Sequence, residues 1–559
     1  MKLAVLALIW AFLIIPSSTF SQQSNQAFFD QVRVEKQIDS LYEKYENEPG
    51  VSIGIVHGDS LVFQKQYGLA NLEHNIPITH NTSFHVASVS KQFTAFAILL
   101  LEHEGKLSLD DNVQKYLPEM KIENPGLTLR TLLLHTSGLR DQWNLLRLAG
   151  WRLDDNITNE QVLQLIYNQR ALNFSPGAEF MYSNSGYTLL AEIVARVSGM
   201  SFAKFTEKRI FSPLQMHNSA FIDAYGLVIP NSANSYYQKE GTYYEDLFNN
   251  ISVGATNLST TVEDLSKWVI NFSKPTVGHS TIFQKMNTMG KLKNGENTGY
   301  GLGQFIDTYK GIKRISHSGV DASYQAFVGR FPNENSSILI LSNNSAINGG
   351  RMVQQLTEIT LKDHFQIKET AATNHVQRKT PLALSTSRLE KFEGYYWNQK
   401  DRYSRHIKVV NDSLYYLRKD GSKTALQAVG ENEFEMLIDE YISITFNAHE
   451  MILMFDDGYS IAFQKYEPAD YNATSLSGFT GRYYSEELDT YYSFFTDEDQ
   501  LVAKHPRLGN FRLKAIMQDY FIGNKGSFRA INFERNETGA ITGFKVSSSR
   551  AKNISFKRM

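Results

Sequence analysis

Cysteine is missing from all 559 residues. Its absence excludes disulfide staples, thiol catalysis, thiolate metal sites and a lipid-modified N-terminal cysteine. An excess of one charge sign is missing too. The 56 basic and 58 acidic side chains leave a net −2 and no cationic field for nucleic acid. Glycine (36) and proline (13) are too sparse for a fibrous or disordered chain. Long apolar runs are confined to the N-terminus, where Leu3 to Ile15 carries no charge over thirteen residues. Such a run rises only about 20 Å as a helix, short of the ~20 residues a membrane span needs. With Lys2 before it, Pro16 after it and small or polar residues from Ser17 to Gln23, it reads as a secretory signal peptide, residues 1–21. Cleavage is expected after Ser21, with Thr19 at the −3 position. A buried or anchoring N-terminal helix is the alternative. The expectation is a chain without a membrane span, secreted and, given the missing cysteines, periplasmic.

The length predicts about three domains. From Val51 to about Phe365, short strands mix with longer helices. Val51 to Val56 and Leu61 to Phe63 predict a hairpin turned at His57-Gly58-Asp59-Ser60. Helices are predicted over Ser88–Gly105, Asn159–Asn168, Ser185–Ser198, Thr261–Phe272 and Arg351–Ile367, and strands over Gln325–Phe331 and Ser337–Leu341. Strands at both ends with helices between them predict one sheet built from both ends of an α/β domain, residues 22–367, with a helical insertion. Residues 368–388 lack periodicity and read as a linker.

Beyond the linker the texture changes. Between Leu389 and Met559 there are 29 aromatics, and helical periodicity disappears. An internal repeat emerges at an offset of 87, pairing Phe392 with Phe479, Leu414 with Leu501, Leu426 with Leu513, Phe434 with Phe521 and Phe446 with Phe533. Towards the end the register is expected to slip by two, matching Ile452 with Ile541 and Phe455 with Phe544. Two small all-β, barrel-like units are predicted, residues 389–467 and 476–559. A single larger β domain is the alternative.

Three short motifs carry chemistry. Ser88-Val89-Ser90-Lys91 is one of three Ser-x-x-Lys matches, beside Ser201 to Lys204 and Ser549 to Lys552, but only Ser88 opens a strongly apolar helix. The i, i+3 spacing puts Lys91 on the face of Ser88, one turn deeper. Poor solvation and the positive helix end there favour the neutral amine, which can act as general base towards the hydroxyl. The plainer reading is an N-capping Ser and a Lys that extends to solvent. Tyr182-Ser183-Asn184 follows Pro176-Gly177 and precedes a helix. A phenol near cations can shift towards phenolate and serve as base or proton relay, and Asn184 can accept from Lys91 while offering its amide to a substrate carbonyl. His317-Ser318-Gly319 stands at a strand start, where Gly319 would let the Val320 backbone approach a ligand as an oxyanion donor. His317 could orient substrate or shuttle a proton near neutral pH. Each of the last two motifs has a structural alternative, a buried Tyr with a loop Asn and a turn His with a flexible Gly.

In the order Ser88, Tyr182, His317, the set resembles the serine β-lactamase and penicillin-binding-protein superfamily. Within it, the set is most similar to the branch of class C β-lactamases, D-Ala-D-Ala carboxypeptidases, D-aminopeptidases and esterases. Leu132-Leu133-Leu134-His135-Thr136-Ser137-Gly138-Leu139, Gly254 to Leu265 and Tyr300-Gly301-Leu302-Gly303 match that branch as well. The resemblance covers about residues 37–365. It implies Ser88 as acylated nucleophile, Lys91 as its base partner, Tyr182 as base or relay, Asn184 as substrate ligand, and the N–H groups of Ser88 and Val320 as oxyanion hole, with no metal or cofactor. One departure bears on substrate: His317-Ser318-Gly319 stands where β-lactamases and carboxypeptidases carry Lys-Thr-Gly, which weakens carboxylate recognition. That departure and the paired β units resemble D-aminopeptidases and esterases; in the former a barrel segment reaches the active site. The expected function is therefore hydrolysis of a small peptide, amide or ester through an acyl-enzyme. A β-lactamase or carboxypeptidase, and a non-catalytic peptide or cell-wall binder, are the alternatives.

Overall fold

The computed structural model describes residues 30–366 and 378–559, apart from 439, 457, 524 and 526. The expected signal peptide and residues 368–377 of the expected linker lie outside the described residues. Among the described residues no helix is long and apolar enough to cross a membrane.

Six antiparallel strands form the sheet of the first part, in the order Phe305–Tyr309, Ile312–Asp321, Tyr324–Phe331, Ser336–Ser342, Val51–His57 and Ser60–Tyr67. Strands from the two ends meet at its centre, where Ile53 pairs with Ile340 and Ile55 with Ile338. Val51 to Val56 is buried throughout, Ser52 included, as in a strand covered on both faces. Helices Gln31–Tyr42 and Gly349–Leu361 cover one face through Val34, Ile38, Met352 and Leu356. The second of these stops earlier than the apolar pattern predicts, passing into a 3-10 turn at Lys362–His364. The other face carries the helical region around helix Ser90–His103, in which every residue from Ser90 to Leu101 is buried.

Two closed eight-stranded antiparallel barrels follow, over 394–466 and 481–558. Segment 378–385 runs along the first, with Leu382 N–H donating to the Ala428 carbonyl at 2.8 Å. The 87-residue repeat is structural: Leu414 pairs with Leu426 as Leu501 does with Leu513, and Phe434 with Ile444 as Phe521 does with Ile531. The late slip differs from the sequence expectation. Phe446 pairs with Met451 and Phe533 with Phe544, so Phe544 corresponds to Met451, not to Phe455, and the offset grows by six rather than two. The extra residues lengthen the hairpin between Arg535 and Ile541, where the pairing also bulges. Apolar spacing alone cannot see a lengthened turn.

The second barrel is welded to the helical region. Arg140, 2% exposed, donates from Nη1 to both carboxylate oxygens of Glu487 at 2.7 and 2.9 Å. It also donates to the carbonyls of Lys552 (2.9 Å) and Asn553 (3.3 Å). Burial weighs on both partners, pushing Arg140 down and Glu487 up from their ordinary pKa values against their mutual attraction. The Tyr492 hydroxyl donates to the Leu148 carbonyl at 2.9 Å.

Candidate active site

Ser88 sits in the middle of a 3-10 turn, Ala87–Val89, that feeds the buried helix Ser90–His103. The expected single helix from Ser88 is thus a turn plus a helix. Ala87 holds φ at 45°, a left-handed backbone that costs a non-glycine residue about 1–3 kcal/mol and persists only where packing enforces it. Here a strand does so. Ile312–Asp321 pairs with Phe305–Tyr309 only as far as Ser316, so its stretch from His317 runs past that neighbour. There it lies against the Ser88 turn. A Cβ on Gly319 would fall 2.2 Å from the Val86 carbonyl and 3.0 Å from Ser88 N. Only glycine permits that approach. Val320, next along, is 69% exposed at the cleft rim. From below, Gly303 (φ 80°) packs against the Lys91 carbonyl, where a Cβ would lie at 2.8 Å.

Lys91 is fully buried and its Nζ has three neighbours: Ser88 Oγ at 2.9 Å, Asn184 Oδ1 at 2.9 Å and the Ala255 carbonyl at 2.7 Å. Two of these can only accept. A neutral amine has two N–H groups for them and a lone pair for the Ser88 proton. Burial pushes the Lys91 pKa well below its usual value; Asp141 opposes this and Arg550 reinforces it. Asn184 is held in the accepting orientation by Asp141, whose Oδ2 takes both Asn184 N–H and Nδ2–H at 2.8 Å. The second Nδ2 hydrogen remains for a ligand in the cleft.

Tyr182 closes the other side of Ser88, near enough for the two side chains to interact, with Lys91 Nζ 4.9 Å from its ring centroid. The sequence suggested a shift towards phenolate. Burial instead raises the Tyr182 pKa, outweighing Ser88 and Arg550, so the resting group is a neutral phenol suited to relaying a proton. Its ring is braced by His135, with centroids 4.2 Å apart. His135 also fixes the loop: its carbonyl accepts from Met181 N–H (2.9 Å) and its Nδ1 from Ser183 N–H (3.1 Å).

His317 is 2% exposed, and both ring nitrogens are engaged, Nε2 with the Tyr300 hydroxyl at 3.1 Å and Nδ1 with the Ser318 carbonyl at 2.6 Å. Burial, helped by Lys91, pushes its pKa down to about 3 despite the Ser318 hydrogen bond. That direction disfavours the expected proton shuttling near neutral pH; the geometry shows His317 pinned by the tyrosine of Tyr300-Gly301-Leu302-Gly303.

Ser88, Tyr182, Asn184, His317 and Val320 share one cleft of about 880 Å³, with Lys91 beneath and Gly319 behind. Sequence reasoning missed several residues here. Asp141 carries a legible signal, since it caps helix Gln142–Leu148 through Trp143 N–H at 3.1 Å. His135 and Tyr300 lie in recognised motifs but had no role. Arg550 and Arg147 also line the cleft. Arg550 comes from the second barrel, inside the Ser549 to Lys552 match that had no helical context.

Residues 38–354 match the Beta-lactamase family. A penicillin-binding protein of Bacillus subtilis (strain 168) is 26% identical over 422 residues, covering 72% of this chain and 91% of that protein. A D-aminopeptidase of Gluconobacter oxydans (strain 621H) is 24% identical over 312 residues, 56% of this chain and 58% of that protein. The octameric penicillin-binding protein homologue from Pyrococcus abyssi superposes with a TM-score of 0.55 at 24% identity, over 78% of this chain and 100% of that one, a likeness of fold. With the Ser88 turn, the buried Lys91 and the six-stranded sheet in place, the chain belongs to the beta-lactamase family, whose members are serine hydrolases.

Proposed function

We propose that the protein is an exported serine hydrolase that forms an acyl-enzyme on Ser88 and acts on peptide, amide or ester bonds. The observation that carries this reading is the buried Lys91 amine, committed by two obligate acceptors to direct its lone pair at the Ser88 hydroxyl. As Ser88 Oγ attacks the substrate carbonyl, Lys91 takes its proton. Asn184 Nδ2–H meets the carbonyl-bearing part of the substrate, and the N–H groups of Ser88 and Val320 face the developing oxyanion. Tyr182 gives its phenol proton to the leaving amine or alcohol and is reprotonated from Lys91, and water then hydrolyses the ester on Ser88 by the reverse transfers. His317 holds the strand in place through Tyr300. The similarity to a D-aminopeptidase supports amides and peptides as substrates. Export rests on the Lys2 to Gln23 pattern and is tested by fractionating cells that express the full chain.

A fluorophosphonate probe should label wild-type protein and not Ser88→Ala. The same pair assayed on nitrophenyl esters, D- and L-aminoacyl anilides and nitrocefin separates esterase, aminopeptidase and β-lactamase activity. Folded wild-type protein that resists labelling and turns over none of these would sink the proposal in favour of a non-catalytic binder.

A further inference from the structure

One wall of the cleft is made by the second barrel. The turn between strands Ile541–Ser547 and Ile554–Arg558 reaches the helical region and is clamped there. The Arg550 carbonyl accepts from Asp141 N–H and Asn173 Nδ2–H, both at 3.0 Å, and Lys552 N–H donates to Asn173 Oδ1 at 2.8 Å. The corresponding turn of the first barrel is spanned by an equal register, Leu453 pairing with Ile461 as Val546 does with Ile554, but none of that barrel's described residues lines the cleft. The clamp delivers the Arg550 side chain over Tyr182, its guanidinium carbon 5.8 Å from the ring centroid. Its nearest carboxylate, Asp141 Oδ2, is 3.5 Å away and already accepts two hydrogen bonds from Asn184.

Among the described residues neither Arg550 nor Arg147 donates a side-chain hydrogen bond, although each guanidinium carries five N–H groups. The acidic residues of the same cleft each have a donor nearer than the two arginines, although only Asp154 is paired with a cation. Asp154 pairs with Arg152, Asp246 accepts from the Ser323 hydroxyl at 2.7 Å, and Asp321 accepts from Thr256 at 3.0 Å with His85 3.5 Å away. The cavity that Ser88 lines thus also presents guanidinium N–H groups without a hydrogen-bond acceptor, brought there from two separate parts of the fold.

We propose that Arg550, together with Arg147, is a specificity-determining residue that receives an anionic group of the substrate, a carboxylate, while the neighbouring carbonyl is held at Ser88. The second barrel then completes the substrate site, supplying the charge that His317 does not. This rests on the reading of the Ser88 cleft as a substrate site.

The test uses the full chain and phenylboronic acids, which add reversibly to a nucleophilic serine and need no turnover. Affinities of 3-carboxyphenylboronic acid, its carboxamide and its aminomethyl analogue are measured by calorimetry for wild type, Arg550→Gln, Arg550→Lys and Ser88→Ala. Wild type should prefer the carboxylate over the carboxamide by about 10–100-fold, the range of a charge-assisted hydrogen bond. Arg550→Gln should collapse that ratio towards one and Arg550→Lys should restore part of it. A wild-type ratio near one, no measurable binding of the carboxylate probe, or tightest binding of the aminomethyl probe overturns the proposal. So does an Arg550→Gln that weakens both probes equally, which would mark Arg550 as a docking residue. If Ser88→Ala leaves all affinities unchanged, the nucleophile reading fails while the carboxylate ratio stays readable.

Discussion

Replacing Lys91 by Met tests the chemistry most directly. The substitution keeps an unbranched apolar stem in the buried slot and removes the amine that faces Ser88 Oγ at 2.9 Å. An ordinary lysine, with pKa about 10.4, would be neutral in only on the order of one molecule in a thousand at neutral pH. Burial moves Lys91 well below that value and makes the base available. Loss of a general base costs about 10²–10⁴ in rate, so fluorophosphonate labelling of Lys91→Met should fall at least ~100-fold. The variant also leaves Asn184 Oδ1 and the Ala255 carbonyl without a donor, at about 1–3 kcal/mol each, so melting must be recorded beside labelling. The wild-type pH profile is the second half of the test. Only the neutral amine is competent, so labelling should rise through the Lys91 titration and flatten well short of the ordinary lysine range. A profile that keeps climbing to about pH 10, the range of a solvated lysine, would refute the argument. So would a folded Lys91→Met that keeps more than a tenth of the wild-type rate.

Gly319→Ala places a methyl 2.2 Å from the Val86 carbonyl, so the strand must retreat from the Ser88 turn. Labelling should drop by about 10²–10³, the value of one oxyanion donor, and unchanged labelling would show that Val320 is not that donor. Arg140→Ala strands the Glu487 carboxylate at 7% exposure and should cost about 3–5 kcal/mol in denaturant unfolding, with the second barrel becoming protease-sensitive. A loss below about 1 kcal/mol would mean the pair behaves as a solvated surface one. His317 is neutral when folded, with its pKa at about 3, whereas the unfolded chain binds that proton below about 6.5. Stability should therefore fall as pH drops through that window, and His317→Gln should flatten the fall in urea titrations at about pH 7 and about pH 5. An equally steep fall in the variant would place the titration elsewhere.

The elements legible in the sequence share a short range. The hairpin Val51–His57 and Ser60–Tyr67, helix Asn159–Tyr167 and the buried helix after Ser88 each declare themselves through a period of 2 or 3.6 and a local turn or cap. The barrel repeat was readable because apolar residues recur where strands pair, and it failed where a hairpin between Arg535 and Ile541 grew longer without changing the apolar pattern. Ser88, Lys91, Tyr182 and Asn184 were legible as motifs, and they do converge. The protonation of His317 and Tyr182 was not, because it depends on burial among rings from several separate segments: Tyr300 and Phe305 against His317, and His135, Tyr300 and Phe305 against Tyr182.

By itself, then, the sequence determined the absence of thiol chemistry, the i, i+3 placement of Ser88 and Lys91, and the alternation that closes two barrels. All three follow from residue identity and local backbone geometry. Only the tertiary structure decided that Lys91 and His317 are buried and their pKa values pushed down, that Asp141 orients Asn184, and that a turn near the C-terminus sets Arg550 in the cleft that Ser88 lines. Burial and charge fall off with distance through space rather than along the chain, so these properties exist only once distant segments meet.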